Sequence, residues 1–391
     1  MDVKNTMLVK FHELFGNLGS EEFYFTPGRV NLIGEHIDYN GGFVFPCALS
    51  FGTYAICRKR KDQNFNLFSI NFPNDKTITF QGNNLKKSGV WGDYCKGVIK
   101  IFQDNNHNIP FGLDIVFYGN IPNGAGLSSS ASLEVLMGTI LNETFNLNIP
   151  MVDIVKYSQR AENDFIGVSC GIMDQFAVGM GKKDNAILLN CNTLKYEYVP
   201  ILLKNASIVI MNTNKRRGLA DSKYNERRIY CEKALQDLKN SKVNIEYLCD
   251  LSMEDFKKVK HFIGENEALL RATHAISEND RVLNGITALK NNDIKTFGKL
   301  MNESHISLRD NYEVTGFELD TIVKAAWEEP GIIGSRMTGA GFGGCAVSIV
   351  ENDFIDSFIK NVGEKYTKKT NLVADFYIAN IGDGSRKIGD L

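Results

Sequence analysis

Residues 122–135 read Pro122-Asn123-Gly124-Ala125-Gly126-Leu127-Ser128-Ser129-Ser130-Ala131-Ser132-Leu133-Glu134-Val135. The run before them, Leu113 to Tyr118, is dominated by apolar residues and rich in β-branched and aromatic types, which predicts a strand. The run after them, Ala131 to Leu141, places Leu133, Leu136, Met137, Ile140 and Leu141 at helical spacing. Strand, glycine-rich turn and helix therefore follow one another. Glycine lets a ligand approach the main chain closely, and the unpaired N–H groups and positive dipole end of a helix start favour an anion. A capped turn needs one serine; this stretch has three in a row, Ser128 to Ser130, besides Gly124 and Gly126. The pattern points to phosphate binding. It is not the G-x-x-x-x-G-K-[ST] loop, because no Lys follows the second Gly. Positive charge for a nucleotide must come from a metal, the helix dipole and residues elsewhere.

The chain of 391 residues is long enough for two domains and a substantial core. Its 44 basic and 46 acidic residues give a net charge of −2, which offers no electrostatic footprint for nucleic acid or a membrane surface. The cysteines at 47, 57, 95, 170, 191, 231, 249 and 345 form no C-x-x-C pair. Reduced thiols in a cytoplasmic enzyme fit them better than a disulfide framework or a zinc site. His12-Glu13 lacks the second His of a zinc-protease helix, since position 16 is Gly. Met7, Leu8, Phe11 and Phe15 predict an amphipathic N-terminal helix rather than a signal peptide. No apolar run approaches the ~20 residues of a membrane span.

A dense polar cluster occupies residues 27–42, after a short predicted strand at Phe23–Phe25. Arg29, Glu35, His36, Asp38 and Tyr39 lie among glycines, with Val30, Leu32 and Ile33 interleaved. A hairpin loop with solvated charges would not need those apolar residues. Two carboxylates, an imidazole and a guanidinium suit a polyhydroxylated ligand, whose hydroxyls both give and accept hydrogen bonds.

Together these stretches carry a resemblance. Gly28-Arg-Val-Asn-Leu-Ile-Gly-Glu-His-Ile-Asp-Tyr39 resembles the galactokinase signature. Pro122 to Ser132 resembles the phosphate motif of the small-molecule kinase superfamily of galactokinase, homoserine kinase, mevalonate kinase and phosphomevalonate kinase. Arg336-Met-Thr-Gly-Ala-Gly-Phe-Gly-Gly-Cys345 is similar to that superfamily's third motif. The first motif singles out the galactokinases. The resemblance implies an α+β fold in two lobes with the active site in the cleft between them. The N-terminal lobe, residues 1–200, would have the β-α topology of the second domain of a ribosomal protein, and the C-terminal lobe, residues 201–391, would be ferredoxin-like.

It also implies ATP-dependent phosphorylation of α-D-galactose at its anomeric hydroxyl, with Mg²⁺, by a cytoplasmic monomer. Asp174 and Arg29 would be catalytic. Glu35, His36, Ile37, Asp38, Gly171 and Tyr224 would line the sugar. Gly124, Ala125, Gly126, Leu127, Ser128, Ser129 and Ser130 would hold the nucleotide, with Ser69, Trp91 and Tyr94 around the adenine. Ser130 and Glu162 would ligate Mg²⁺; without the resemblance, Glu162 reads as a solvated helix residue and Asp174 as a cap. The helix expected over Ile154–Ile166 ends at Gly167. The basic residues Lys215, Arg216, Arg217, Arg227 and Arg228 read mostly as a solvated face. Gly339-x-Gly341-x-x-Gly344 has dinucleotide-fingerprint spacing but leads into a predicted strand, Cys345–Val350, rather than a helix. The rival readings are an N-acetylgalactosamine kinase, a non-catalytic galactose- and ATP-binding regulator, and a dinucleotide-binding oxidoreductase.

Overall fold

The computed structural model describes residues 2–122, 126–201, 203–215 and 220–390. The N-terminal part runs α1 (Val3–Phe15), β1 (Glu22–Asn31), β2 (Phe43–Val44), β3 (Pro46–Lys59), β4 (Asn64–Ser69), β5 (Ile78–Gln81), α2 (Gly92–Asp104), β6 (Leu113–Gly119), α3 (Ser129–Phe145), α4 (Met151–Arg160), α5 (Met173–Met180), β7 (Asn185–Asn190) and β8 (Tyr196–Pro200). Then come β9 (Ala206–Asn212), α6 (Ala220–Asn240), α7 (Met253–Val259), α8 (Asn266–Lys290), α9 (Ile294–Ser307), α10 (Gly316–Trp327), β10 (Ile332–Thr338), β11 (Cys345–Glu351), α11 (Ile355–Thr370), β12 (Asp375–Ala379) and β13 (Arg386–Asp390).

Six strands form one mixed sheet in the order β13-β1-β3-β6-β4-β5, and four form an antiparallel sheet in the order β10-β11-β9-β12. A small third sheet, β2-β7-β8, sits beside them. This is the expected α+β architecture in two lobes. The strand β13 returns to the first sheet, so a single cut at residue 200 does not separate the two large sheets. Thr26 on β1 and Ser385 just before β13 share a 2.6 Å hydroxyl contact, and Ser385 meets Thr139 of α3 at 2.6 Å.

The strand expected over Phe23–Phe25 extends to Asn31. A Pro-Gly pair normally interrupts a strand, but a bulge between Pro27 and Arg29 carries β1 past it: Pro27 pairs with Gly52, and Arg29 with Ala48. A Cβ on Gly52 would lie 2.1 Å from Thr26 O, so only glycine permits this crossing. The bulge aims Arg29 at the phosphate loop, and Arg29 N–H donates to Leu127 O at 3.2 Å.

Helix α3 is buried along most of its length, including Ala131, Val135, Leu136, Met137, Ile140 and Leu141. That burial roots the phosphate loop in the core. The turn from β10 to β11 holds Gly339, Gly341, Gly343 and Gly344 at positive φ, with Phe342 at 58°. A Cβ on Gly339 would stand 2.8 Å from Gly126 O. The glycine-rich turn thus packs on the phosphate loop and runs into a strand, which excludes the dinucleotide-binding context.

Candidate active site

Three separate stretches meet at Asp174, in the first turn of α5. Arg29 Nε donates to Asp174 Oδ1 and Arg29 NH2 to Asp174 Oδ2, both at 2.9 Å. Ser128 Oγ donates to Asp174 Oδ2 at 2.6 Å. Arg29 NH1 reaches Gly126 O at 2.8 Å, so one guanidinium ties the sugar motif, the phosphate loop and α5 together. Ser128, at the position of an N-cap, has φ 63° and makes no side-chain cap bond. The capped-turn reading therefore does not apply: the hydroxyl serves Asp174. Arg29 is buried at 3% exposure while the Asp174 side chain keeps 34%, which leaves the carboxylate open to a ligand. Ser129 and Ser130 follow at the start of α3, and Leu127 is buried beneath them. Gly124 and Ala125 lie outside the described residues.

The sugar motif reaches the same place from β1. Glu35, buried at 1%, accepts through Oε1 from Gly339 N–H at 2.6 Å and from the Thr338 hydroxyl at 3.0 Å. Asp38 is half-buried, and burial of its carboxylate, followed by the charge of Asp174, pushes its pKa up to about 6. Gly171 is the reason Asp38 fits: a Cβ there would lie 1.8 Å from Asp38 Oδ2. Tyr224, near the start of α6, packs its ring 5.4 Å from His36 and 5.7 Å from Tyr39. Ile37 is fully buried, and its carbonyl accepts from Asn40 and Gly42, so its side chain is scaffold.

His36 departs from expectation. Its Nδ1 is 3.0 Å from Tyr39 OH and its Nε2 is 3.2 Å from Ala340 O. Both ring nitrogens are occupied, and a sugar hydroxyl would have to displace one of these partners. Burial, with the field of His274, pulls its pKa down to about 3, so the ring is neutral. The basic residues are corrected too: Arg227 is 7% exposed and donates to the carbonyls of Tyr312 and Glu313 at 2.7 and 3.1 Å. Arg216 and Arg217 lie outside the described residues.

Behind Asp174 lies a second group of carboxylates. The helix expected over 154–166 tightens into α4 and then widens into a π-turn, Ala161–Ile166, closed by Gly167 at φ 87°. Such turns recur at functional sites; this one carries Glu162, whose charged form the nearby Ser130 hydroxyl favours. Gln175 Nε2 donates to Glu162 Oε2 at 2.7 Å and to Glu134 Oε2 at 3.1 Å. Burial and then the neighbouring charge of Asp174 raise the Glu162 pKa, and burial and then Glu162 push Glu134 well up. Among the described residues, Glu134 Oε1 and Gln175 Oε1 have no hydrogen-bond partner.

A cavity of about 220 Å³ adjoins the serines. Ser69, Trp91, Tyr94, Phe117, Ser129, Ser130 and Leu133 are among its lining residues. Trp91 is set edge-on to Phe117 at 5.7 Å. The aromatic residues expected around a purine thus share one cavity with two of the three loop serines.

Comparison with known proteins fits this geometry. Residues 9–59 match the galactokinase galactose-binding signature, residues 93–182 the GHMP kinases N terminal domain and residues 286–368 the GHMP kinases C terminal model. A galactokinase of Fusobacterium nucleatum subsp. nucleatum is 63% identical over 98% of this chain and 99% of its own length. The chain belongs to the galactokinase family. A galactokinase of Clostridium beijerinckii is 58% identical over 100% of both chains. The crystal structure of Lactococcus lactis galactokinase complexed with galactose matches with a TM-score of 0.97 at 46% identity, covering 99% of this chain and 100% of that one.

Three residues of this galactokinase-family site escaped the sequence reading. Glu134 and Gln175 carry no distinguishing signal in the sequence, and only the fold reveals that they flank Glu162. Tyr312 had no local signal at all. Its ring lies 4.9 Å from His36, and its hydroxyl is 2.8 Å from Tyr39 OH.

Proposed function

We propose that this chain transfers the γ-phosphoryl group of ATP to the anomeric hydroxyl of α-D-galactose, giving galactose 1-phosphate and ADP. The observation that carries this reading is the convergence on Asp174 of Arg29 from the sugar motif and Ser128 from the phosphate loop. Asp174 orients the hydroxyl. The bond from that oxygen to the γ-phosphorus forms, the bond to the β,γ-bridging oxygen breaks, and the hydroxyl proton passes to the carboxylate. In a loose transition state charge sits on the transferring group, so positioning and electrostatics carry most of the catalysis. Arg29 supplies a fixed positive charge beside the reacting oxygen.

Glu35 and Asp38 take sugar hydroxyls remote from the reacting one, with Tyr224 against the sugar and Gly171 leaving room for Asp38. The serines and the helix start hold the phosphates, while Trp91, Tyr94 and Ser69 enclose the adenine. The Glu162 carboxylate and the Ser130 hydroxyl are hard oxygen donors that fit Mg²⁺, with waters and phosphate oxygens completing its shell. Mg²⁺ would offset charge on the β- and γ-phosphates. We place the enzyme in the cytoplasm as a monomer. The eight free thiols support a reducing compartment, and among the described residues no helix is long and apolar enough to cross a membrane.

The test is a sugar panel with ATP and Mg²⁺, following both ADP and sugar phosphate. Galactose-dependent formation of both products in equal amounts is expected. Galactose binding without turnover, or ADP release without sugar phosphate, would overturn the assignment.

A further inference from the structure

A buried chain of polar groups runs from α6 to the glycine-rich turn, and its direction can be worked out from one end. Ala340 O can only accept, so His36 Nε2 carries the proton and donates to it at 3.2 Å. A neutral imidazole then presents Nδ1 as an acceptor, and the Tyr39 hydroxyl donates to it at 3.0 Å. Having given its proton to His36, the Tyr39 oxygen must receive one from the Tyr312 hydroxyl at 2.8 Å. The Tyr312 oxygen receives in turn from the Cys231 thiol at 3.2 Å. One carbonyl therefore polarises the whole chain: Cys231, Tyr312, Tyr39, His36, Ala340.

Tyr312 is its centre. It is fully buried, with its ring between His36 at 4.9 Å and His274 at 4.6 Å. His274 Nε2 holds the backbone of the sugar motif at Glu35 O, 3.1 Å away. Two buried arginines fix the main chain around Tyr312: Arg227 donates to Tyr312 O and Glu313 O, and Arg271 donates to Asn311 O at 2.6 Å and pairs with Glu313. Two residues on, Val314 O accepts from Phe342 N–H at 2.7 Å within the glycine-rich turn.

Resting on the sugar reading of residues 35–38, we infer that Tyr312 is a positioning residue for galactose. Through Tyr39 and His36 it sets how the sugar motif stands against the glycine-rich turn, and it touches no substrate itself. His36 thus serves as the last link of a relay rather than as a sugar ligand.

Tyr312→Phe keeps the ring and removes only the hydroxyl, breaking the relay and leaving buried partners unmatched. Calorimetry should show galactose Kd rising by about 5- to 30-fold. The ATP KM should stay within about twofold and kcat within about threefold. Tyr39→Phe, at a half-buried site, should do the same. The double variant should be no worse than the weaker single, since members of one network are not additive. Galactose Kd within about twofold of the parent in both single variants, additive losses, or an ATP KM that rises in step would each overturn the inference. If Tyr312→Phe fails to fold, the galactose Kd of Tyr39→Phe decides between the same two outcomes. Asp38→Ala separates the two levels. Unchanged galactose binding in Asp38→Ala removes the sugar reading and the inference with it. Binding lost there but kept in both Phe variants removes the inference alone.

Discussion

Arg29 and Asp174 face each other as a two-point pair, Nε to Oδ1 and NH2 to Oδ2, both at 2.9 Å, with the third guanidinium nitrogen on Gly126 O. Asp174→Asn nearly preserves shape but sets an amide NH₂ against the guanidinium and cannot take a proton. The expected loss is in kcat, by a factor on the order of 10²–10⁴. Galactose binding, measured by calorimetry, should change far less, because Glu35 and Asp38 remain. A variant retaining half the parent kcat would leave Asp174 as scaffold.

Glu162→Ala should raise the Mg²⁺ concentration needed for half-maximal turnover while leaving galactose Kd unchanged. Gln175→Leu removes the amide that holds the Glu162 carboxylate. It should shift the same Mg²⁺ dependence by about tenfold, as loss of an outer partner does. Mg²⁺-dependent nucleotide binding, followed by calorimetry, reads both effects without catalysis. Loss of galactose affinity with an unchanged Mg²⁺ requirement would put Glu162 in the wrong site.

Gly171→Ala tests the packing around Asp38, whose Oδ2 lies 1.8 Å from where the new Cβ would stand. The carboxylate must move, so galactose KM should rise by roughly tenfold or more with the ATP KM near the parent value. Equal galactose KM in parent and variant would show that Asp38 does not hold the sugar.

Galactose and glucose differ only in the orientation of the C4 hydroxyl, and we propose that Asp38 and Tyr224 are the groups that read it. A lost hydrogen bond to a charged group costs about 1.5–3 kcal/mol, so kcat/KM should favour galactose by roughly tenfold to a hundredfold. Comparable values would leave a sugar kinase without its galactose preference.

Asp38 also predicts a pH dependence. Its pKa stands at about 6, raised by burial and then by Asp174 and Glu35, and His36, at about 3, does not titrate nearby. If the ionised carboxylate grips the sugar, galactose binding is constant on the alkaline side of 6 and weakens as pH falls through it. Stability runs the other way: the folded state holds this proton more tightly than the unfolded one, so its contribution is present at acid pH and lost as pH rises toward 6. Galactose Kd measured across this range decides it; an unchanged Kd on the acid side would exclude Asp38 as an ionised sugar contact.

The motifs were legible because their chemistry is local. Two glycines and three serines between a strand and a helix announce a phosphate site, and Gly339 to Gly344 announce a tight turn. The relationships among the motifs were not legible. Gln175 looks like any helix glutamine until α5 is laid against α3, and Glu134 looks like a surface residue until α3 is buried on both sides. Tyr312 belongs to no motif; its meaning depends on the π-turn Leu308–Tyr312 setting it between two histidines far away in sequence. The length of β1 was missed for a different reason. A Pro-Gly pair normally ends a strand, but here the missing Cβ atoms of Gly28 and Gly52 allow a bulge to carry it onward.

The pairing of β13 with β1 sets an order on biosynthesis. Thr26 and Ser385 are 359 residues apart, and translation proceeds at roughly 5–20 residues per second. From the time β1 leaves the ribosome, on the order of 20–70 seconds pass before the strand that covers its outer edge has been made. Throughout that interval the nascent sheet carrying Arg29 has an open edge, the feature most prone to pairing with a stranger. Closure of the sheet therefore waits until residue 386 has been made, and a ribosome stalled short of it leaves the Glu22–Phe25 edge of β1 uncovered.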